Sequence, residues 1–153
     1  MEVGALVILF FWSIVEMGLL PIPTDLLVVP LVASENLNPL IVATVGAVGS
    51  IFGGLIDYYL GRFAFMALDS KFSIAMRVEK VKLRFKRVAN YGFPGLLILG
   101  RLIPFMVLKP VMVLAGGVKY DTRIFILVIF VASFVRYFAD ATVGSVLSLL
   151  THL

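Results

Sequence analysis

Seven ionisable side chains interrupt the long apolar runs of this 153-residue sequence: Glu16, Asp25, Asp57, Arg101, Lys109, Arg136 and Asp140. A bare charge in hydrocarbon costs about 2.5–3.5 kcal/mol on insertion scales, so such residues face a cavity or pair with one another. Glu16 stands just before Pro21-Ile22-Pro23, and Arg101 stands three residues before Pro104. If the segments broken by these prolines meet at the bilayer midplane, Glu16 and Arg101 approach each other. The pair then responds to a substrate or a proton, or else it is a static ion pair. Thr24 and Asp25 open the stretch after the first break. A helix start there offers free N–H groups and positive potential to an anion, or is simply capped by the same two residues. Lys109 and Arg101 together make a positive interior suited to a phosphate, although a lysine can also snorkel to the interface. Glu16, Asp25, Arg101 and Lys109 are therefore the first candidates for substrate and proton coupling, with Thr24, Asp57, Arg136 and Asp140 behind them. Arg136 and Asp140 are four residues apart on one helix face and read as a structural pair. Asp57, beside Tyr58 and Tyr59, reads as interfacial, where tyrosine is common.

Much other chemistry is excluded. There is no cysteine, so there is neither a disulfide nor a thiolate metal site. The single histidine, His152, is next to the last residue. No nucleophile–base set, metal-ligand cluster or glycine-rich phosphate loop is visible. The expectation is a protein that is not an enzyme and has no cofactor, no metal and no nucleic-acid partner.

The elements that must position these charges are membrane helices. The chain is 61% hydrophobic, against about 45–50% for a soluble domain. The excess comes in blocks, Val3–Val15, Pro39–Ile56 and Ile124–Val135. Val3–Leu20 lacks the basic start and small-residue cleavage site of a signal peptide. Two prolines in three residues cannot continue a helix, because each lacks an N–H and clashes with the preceding turn. One helix therefore ends near Leu20 and a short one starts near Thr24. Asp25–Ser34 is too short to span a bilayer, which takes about 20 residues, so the segment reads as a re-entrant hairpin. Its tip must be buried in protein or face water. Asn38-Pro39 then gives a cap and a first-turn proline. The helix that follows runs to about Gly61, and its Gly46, Gly49, Gly53 and Gly54 let another backbone come close. After a basic stretch the pattern returns. Phe93–Gly117 is apolar and broken at Pro104 and Pro110, Tyr120-Asp121-Thr122 turns the chain, and a last helix runs from about Arg123 to Leu150.

Eight of the 13 lysines and arginines lie between Arg62 and Arg87, opposed only by Asp69 and Glu79. The positive-inside rule puts this stretch in the cytoplasm. Ile74, Val78, Val81, Phe85 and Val88 form one apolar helical stripe within it, suited to covering the protein or to lying on anionic headgroups. The chain thus reads as an all-α integral membrane protein and one domain over residues 1–153: repeat one over 3–62, a basic amphipathic cytoplasmic helix within 63–91, and repeat two over 92–150. Each repeat is a re-entrant broken hairpin followed by a spanning helix, and the two repeats have opposite orientation. Both termini are then external in a multi-pass plasma-membrane protein. Inverted repeats with discontinuous helices meeting at the midplane are a transporter architecture. A unit this small makes a homodimer reasonable.

The motifs also resemble a known family. Glu16 followed by Pro21-Ile22-Pro23-Thr24-Asp25 resembles the opening of the DedA superfamily, the VTT or SNARE-associated Golgi protein domain. Gly49, Gly53 and Tyr59-Leu60-Gly61-Arg62 resemble its glycine-rich helix. Tyr91-Gly92, Gly100-Arg101-Leu102-Ile103-Pro104 and Ala115-Gly116 resemble its second hairpin. The resemblance implies the inverted hairpin fold and translocation of a phosphate-bearing lipid, a polyprenyl-phosphate carrier or a phospholipid, with a proton gradient driving some members. It implies roles for Glu16, Asp25 and Arg101. Where many members carry a second arginine this chain has Val107, and Lys109 is the nearby base. Two other readings stand beside lipid transport: a small proton-coupled exporter of cationic compounds, and a membrane scaffold that transports nothing.

Overall fold

The computed structural model describes residues 2–18, 25–35, 37–71 and 108–151, together with Gly92, Pro94, Gly95, Leu97 and Ile98. Among the described residues five helices are bounded: α1 (Glu2–Gly18), α2 (Asp25–Glu35), α3 (Pro39–Lys71), α4 (Leu108–Gly117) and α5 (Thr122–Thr151). No strand occurs among the described residues.

The boundaries have local causes. The Leu40 N–H donates to Asn38 Oδ1 at 2.9 Å, so Asn38 caps α3 and Pro39 takes the first helical position, where no N–H is needed. The Arg123 N–H donates to Asp121 Oδ1 at 2.8 Å, which makes Asp121 the cap of α5. Between α4 and α5 the Tyr120 N–H reaches the Ala115 carbonyl at 2.9 Å and Lys119 turns the chain with a φ of 56°. The Tyr58 hydroxyl donates to the Tyr120 carbonyl at 2.6 Å, pinning that turn to α3. Two sequence expectations are corrected. Helix α3 does not stop near Gly61 but continues to Lys71, because Arg62-Phe63-Ala64-Phe65-Met66-Ala67 contains no breaker. Pro110 does not interrupt the second apolar stretch. It lies in the first turn of α4, where a proline is tolerated. The Pro21-Ile22-Pro23 and Pro104 breaks and the amphipathic stripe from Ile74 to Val88 lie outside the described residues.

Helix α3 is the centre of the packing: α1, α4 and α5 all lie against it, and α2 lies against α5. One apolar core joins Met17, Tyr58, Met112, Phe125 and Ile129; the other joins Leu9, Val28, Val32, Val42 and Tyr137. The closest approach is between α3 and α4. A Cβ on Gly116 would overlap the Tyr58 carbonyl oxygen, and one on Gly61 would overlap the Val113 carbonyl oxygen. Only glycine permits this contact, and its gain is dispersion between two backbones.

The surface inverts the rule for soluble proteins. Phe11, Leu40, Phe63, Leu127 and Leu149 are exposed, while Ser13, Glu16, Ser50, Asp57 and Ser133 are buried. An apolar exterior around a polar interior is stable in lipid rather than in water. Two helices are long and apolar enough to cross a bilayer, Pro39–Ala67 and Thr122–Leu150. At 1.5 Å per residue each is about 43 Å long, so each is long enough to cross the ~30 Å hydrocarbon layer with residues to spare. Helices α2 and α4, of 11 and 10 residues, cannot cross alone.

Candidate functional site

Glu16 is buried near the end of α1, at 8% exposure. It faces α3 and α5 because Met17 and Gly18 are pressed onto Gly53 of α3, which fixes the rotation of the last turn of α1. Two groups of α5 meet its carboxylate. The Tyr137 hydroxyl donates to Glu16 Oε2 at 3.1 Å, and Arg136 Nη1 stands 3.8 Å from Glu16 Oε1. Ser50 of α3 donates its hydroxyl to the Tyr137 oxygen at 3.4 Å, extending the chain of polar groups to the third helix. Arg136 Nε also stands 3.9 Å from Asp140 Oδ2, so one guanidinium serves two carboxylates. Both ionic separations exceed hydrogen-bond length, so these two contacts are coulombic.

The location has consequences. In the α5 span Thr122–Leu150, Arg136 has fourteen residues on either side. The guanidinium is therefore carried at the middle of a span-length apolar helix, where an uncompensated charge is costly if the helix crosses a bilayer.

A second cluster lies further along α3. Asp57 is 5% exposed, and its Oδ2 is buried without a hydrogen-bond partner among the described residues. Lys109, half-buried in the first turn of α4, acts on it electrostatically. The interfacial reading of Asp57 and Tyr58 is corrected here. Because α3 runs on to Lys71, Asp57 sits inside the helix rather than near its end, and Tyr58 is 1% exposed; only Tyr59 faces outward. The reading of Arg136 and Asp140 as a purely local pair is likewise widened, since Arg136 also meets Glu16 across two helices. Thr24 and Arg101 lie outside the described residues, as does the side chain of Asp25, and the expected meeting of Glu16 with Arg101 lies there too.

Sequence reasoning missed Tyr137 and Ser50. A signal was present. Gly46, Ser50 and Gly53 fall on one stripe of α3, and Tyr137 adjoins the midspan arginine. Gly46 is what admits Tyr137: a Cβ there would stand 2.7 Å from the tyrosine ring, which is fully buried and has no room to swing aside. Gly46→Ala should therefore destabilise the protein by about 1–3 kcal/mol, the usual cost of overpacking. Tyr137→Phe keeps the ring and loses only the hydroxyl, so it should cost about 1 kcal/mol. Thermal melting in detergent compares the two, and a Gly46→Ala protein as stable as wild type would contradict this packing.

Among the described residues no group of three or more His, Cys, Asp or Glu side chains could hold a metal ion. Comparison with known families gives one match, to the VTT domain, over residues 22–146. The matched stretch takes in Thr24, Asp25, Asp57, Arg101, Lys109, Arg136 and Asp140, and begins six residues after Glu16. Neither the curated proteins nor the solved structures give a match. The family match covers most of the chain, and the outward apolar faces and two spanning-length helices agree with it. The chain belongs to the VTT-domain family and is a DedA-type membrane protein.

Proposed function

We propose that this protein translocates a phosphate-bearing lipid, a polyprenyl phosphate or a phospholipid, across the plasma membrane. The observation that carries the reading is the placement of Arg136 at midspan, shared by two carboxylates across coulombic separations of 3.8 and 3.9 Å. A phosphate is a better partner for a guanidinium than a carboxylate is, because it carries more charge and accepts a bidentate pair. As the headgroup arrives, it displaces Glu16 from Arg136. Glu16 takes a proton, and release of the proton on the far side restores the ion pair and expels the phosphate. Asp25, Arg101 and Lys109 are assigned supporting places in this exchange in the proposal, with Thr24 behind them.

The crossed packing supports an inverted repeat. The short helix of the first half, α2, lies on the long helix of the second, and α4 lies on the long helix of the first. Two halves of opposite orientation rocking about α3 and α5 would expose the midspan cluster alternately to each side. In this arrangement the basic segment between Arg62 and Arg87 is cytoplasmic and both termini are external. A homodimer would enlarge the lipid-facing wall.

One observation favours a second reading. Arg136 has the carboxylates Glu16 and Asp140 beside it, groups that proton-coupled export of a cationic compound would also use. Proteoliposomes loaded in parallel with a labelled polyprenyl phosphate, a labelled phospholipid and a cationic dye separate the readings. Movement of a phosphate lipid is expected. Movement of the dye alone would establish the exporter, and movement of none by folded protein would leave the scaffold.

A further inference from the structure

The Asp57–Lys109 cluster is not needed for the exchange at Arg136, yet it repeats its design. Asp57 lies eighteen residues after Pro39, the first residue of α3, and Asp140 lies eighteen after Thr122, the first residue of α5. Four residues on, Gly61 and Gly144 hold equivalent places. Gly61 receives the Val113 carbonyl of α4, and Gly144 receives the Val29 carbonyl of α2. Each long helix thus carries a carboxylate one turn before the glycine that seats the short helix of the other half. In both places a cation acts on the carboxylate: Arg136 stands 3.9 Å from Asp140 Oδ2, and Lys109, in the first turn of the α4 helix packed on α3, acts electrostatically on Asp57 at longer range.

The two clusters also share a face of α3. Ser50, which joins the first, and Asp57 are seven residues apart, which is close to two turns and about 10 Å. Two clusters at two levels of one helix face can be used in succession. Asp57 has a further property that a static counter-ion lacks: its Oδ2 is buried with no hydrogen-bond donor among the described residues. A buried carboxylate oxygen left in that state is costly, and the cost is relieved when a proton or a headgroup hydroxyl reaches it.

We propose that Asp57 is the release group of a second phosphate station, holding Lys109 in the empty state and displacing the phosphate headgroup from Lys109 after the headgroup has left Arg136. The inference rests on the lipid-phosphate reading above and adds a residue and a step to it. Asp57 acts through Lys109 and is a positioning residue. Lys109 is the group that touches phosphate.

The test is steady-state translocation of farnesyl phosphate in proteoliposomes as a function of its concentration. Asp57→Asn leaves Lys109 without its competitor, so phosphate is held too long: KM and the maximal rate both fall, by roughly tenfold, the signature of an over-stabilised ground state. Lys109→Gln raises KM. The double variant Asp57→Asn/Lys109→Gln also has a raised KM, because the phosphate ligand is gone whatever its counter-ion. Asp57→Glu keeps the charge and stays within about twofold of wild type in KM, a second route to the answer if the Asn variant is poorly folded. Lys119→Gln, on the exposed turn after α4, removes the same charge and leaves the kinetics unchanged. A double variant with wild-type KM and rate would show the pair to be structural and overturn the station alone. The station is equally overturned if Asp57→Asn raises KM, or if Lys119→Gln behaves like Lys109→Gln. A wild-type protein that moves no farnesyl phosphate would overturn the lipid-phosphate reading itself, and the station with it.

Discussion

Arg136→Ala is expected to abolish the lipid-phosphate translocation proposed above and to lower stability by about 3 kcal/mol, the cost typical of removing one partner from a buried ion pair. The loss follows from the neighbours of Arg136. Glu16 and Asp140 both lean on this guanidinium, at 3.8 and 3.9 Å, inside a span whose exterior is apolar. Without it both carboxylates lose this cation. Arg136→Lys keeps the charge but not the planar fork that can serve two carboxylates. It should retain most of the stability and lose part of the rate. Melting in detergent, alongside translocation, measures both. An Arg136→Ala protein that transports at the wild-type rate would remove this cluster from the mechanism.

Gly116→Ala has the largest expected effect on the fold. The added methyl overlaps the Tyr58 carbonyl oxygen, a backbone atom in the middle of α3. A flexible side chain could move aside; a helical carbonyl moves only with its helix. Helices α3 and α4 must separate, which opens the packing of Met112 and Ala115 against Tyr58 and withdraws Lys109 from Asp57. The loss should reach or exceed about 3 kcal/mol, the upper end of overpacking costs. Gly4→Ala is the control. Nothing stands within 4 Å of its added Cβ, so it should be neutral or stabilise α1 by up to about 1 kcal/mol through helix propensity. Equal melting temperatures for Gly116→Ala and wild type would contradict the backbone contact.

Whatever has a local cause was legible in the sequence. Asn38-Pro39 and Asp121-Thr122 set helix starts through caps that the structure places within a residue. The apolar blocks announced the two spanning helices, and the seven interior charges announced where chemistry could sit. Partner choice was not legible, because it depends on how helices rotate against one another. Arg136 and Asp140 satisfy the four-residue rule by themselves, so nothing in their spacing showed that Glu16, 120 residues before Arg136, would join them. Asp57 was misplaced for a related reason. The first basic residue, Arg62, reads as the end of a span, yet the helix continues for two and a half turns and carries Asp57 into the interior.

In the mechanism proposed, the buried Glu16–Arg136 pair exists to move phosphate, and not to hold the helices together. Farnesyl phosphate translocation by the charge-neutral triple variant Glu16→Gln/Arg136→Gln/Asp140→Asn separates these roles, because removing the three charges of the cluster together avoids stranding any one of them. A protein that melts within a few degrees of wild type and translocates nothing is expected. Transport at the wild-type rate by that folded triple variant would contradict the mechanism.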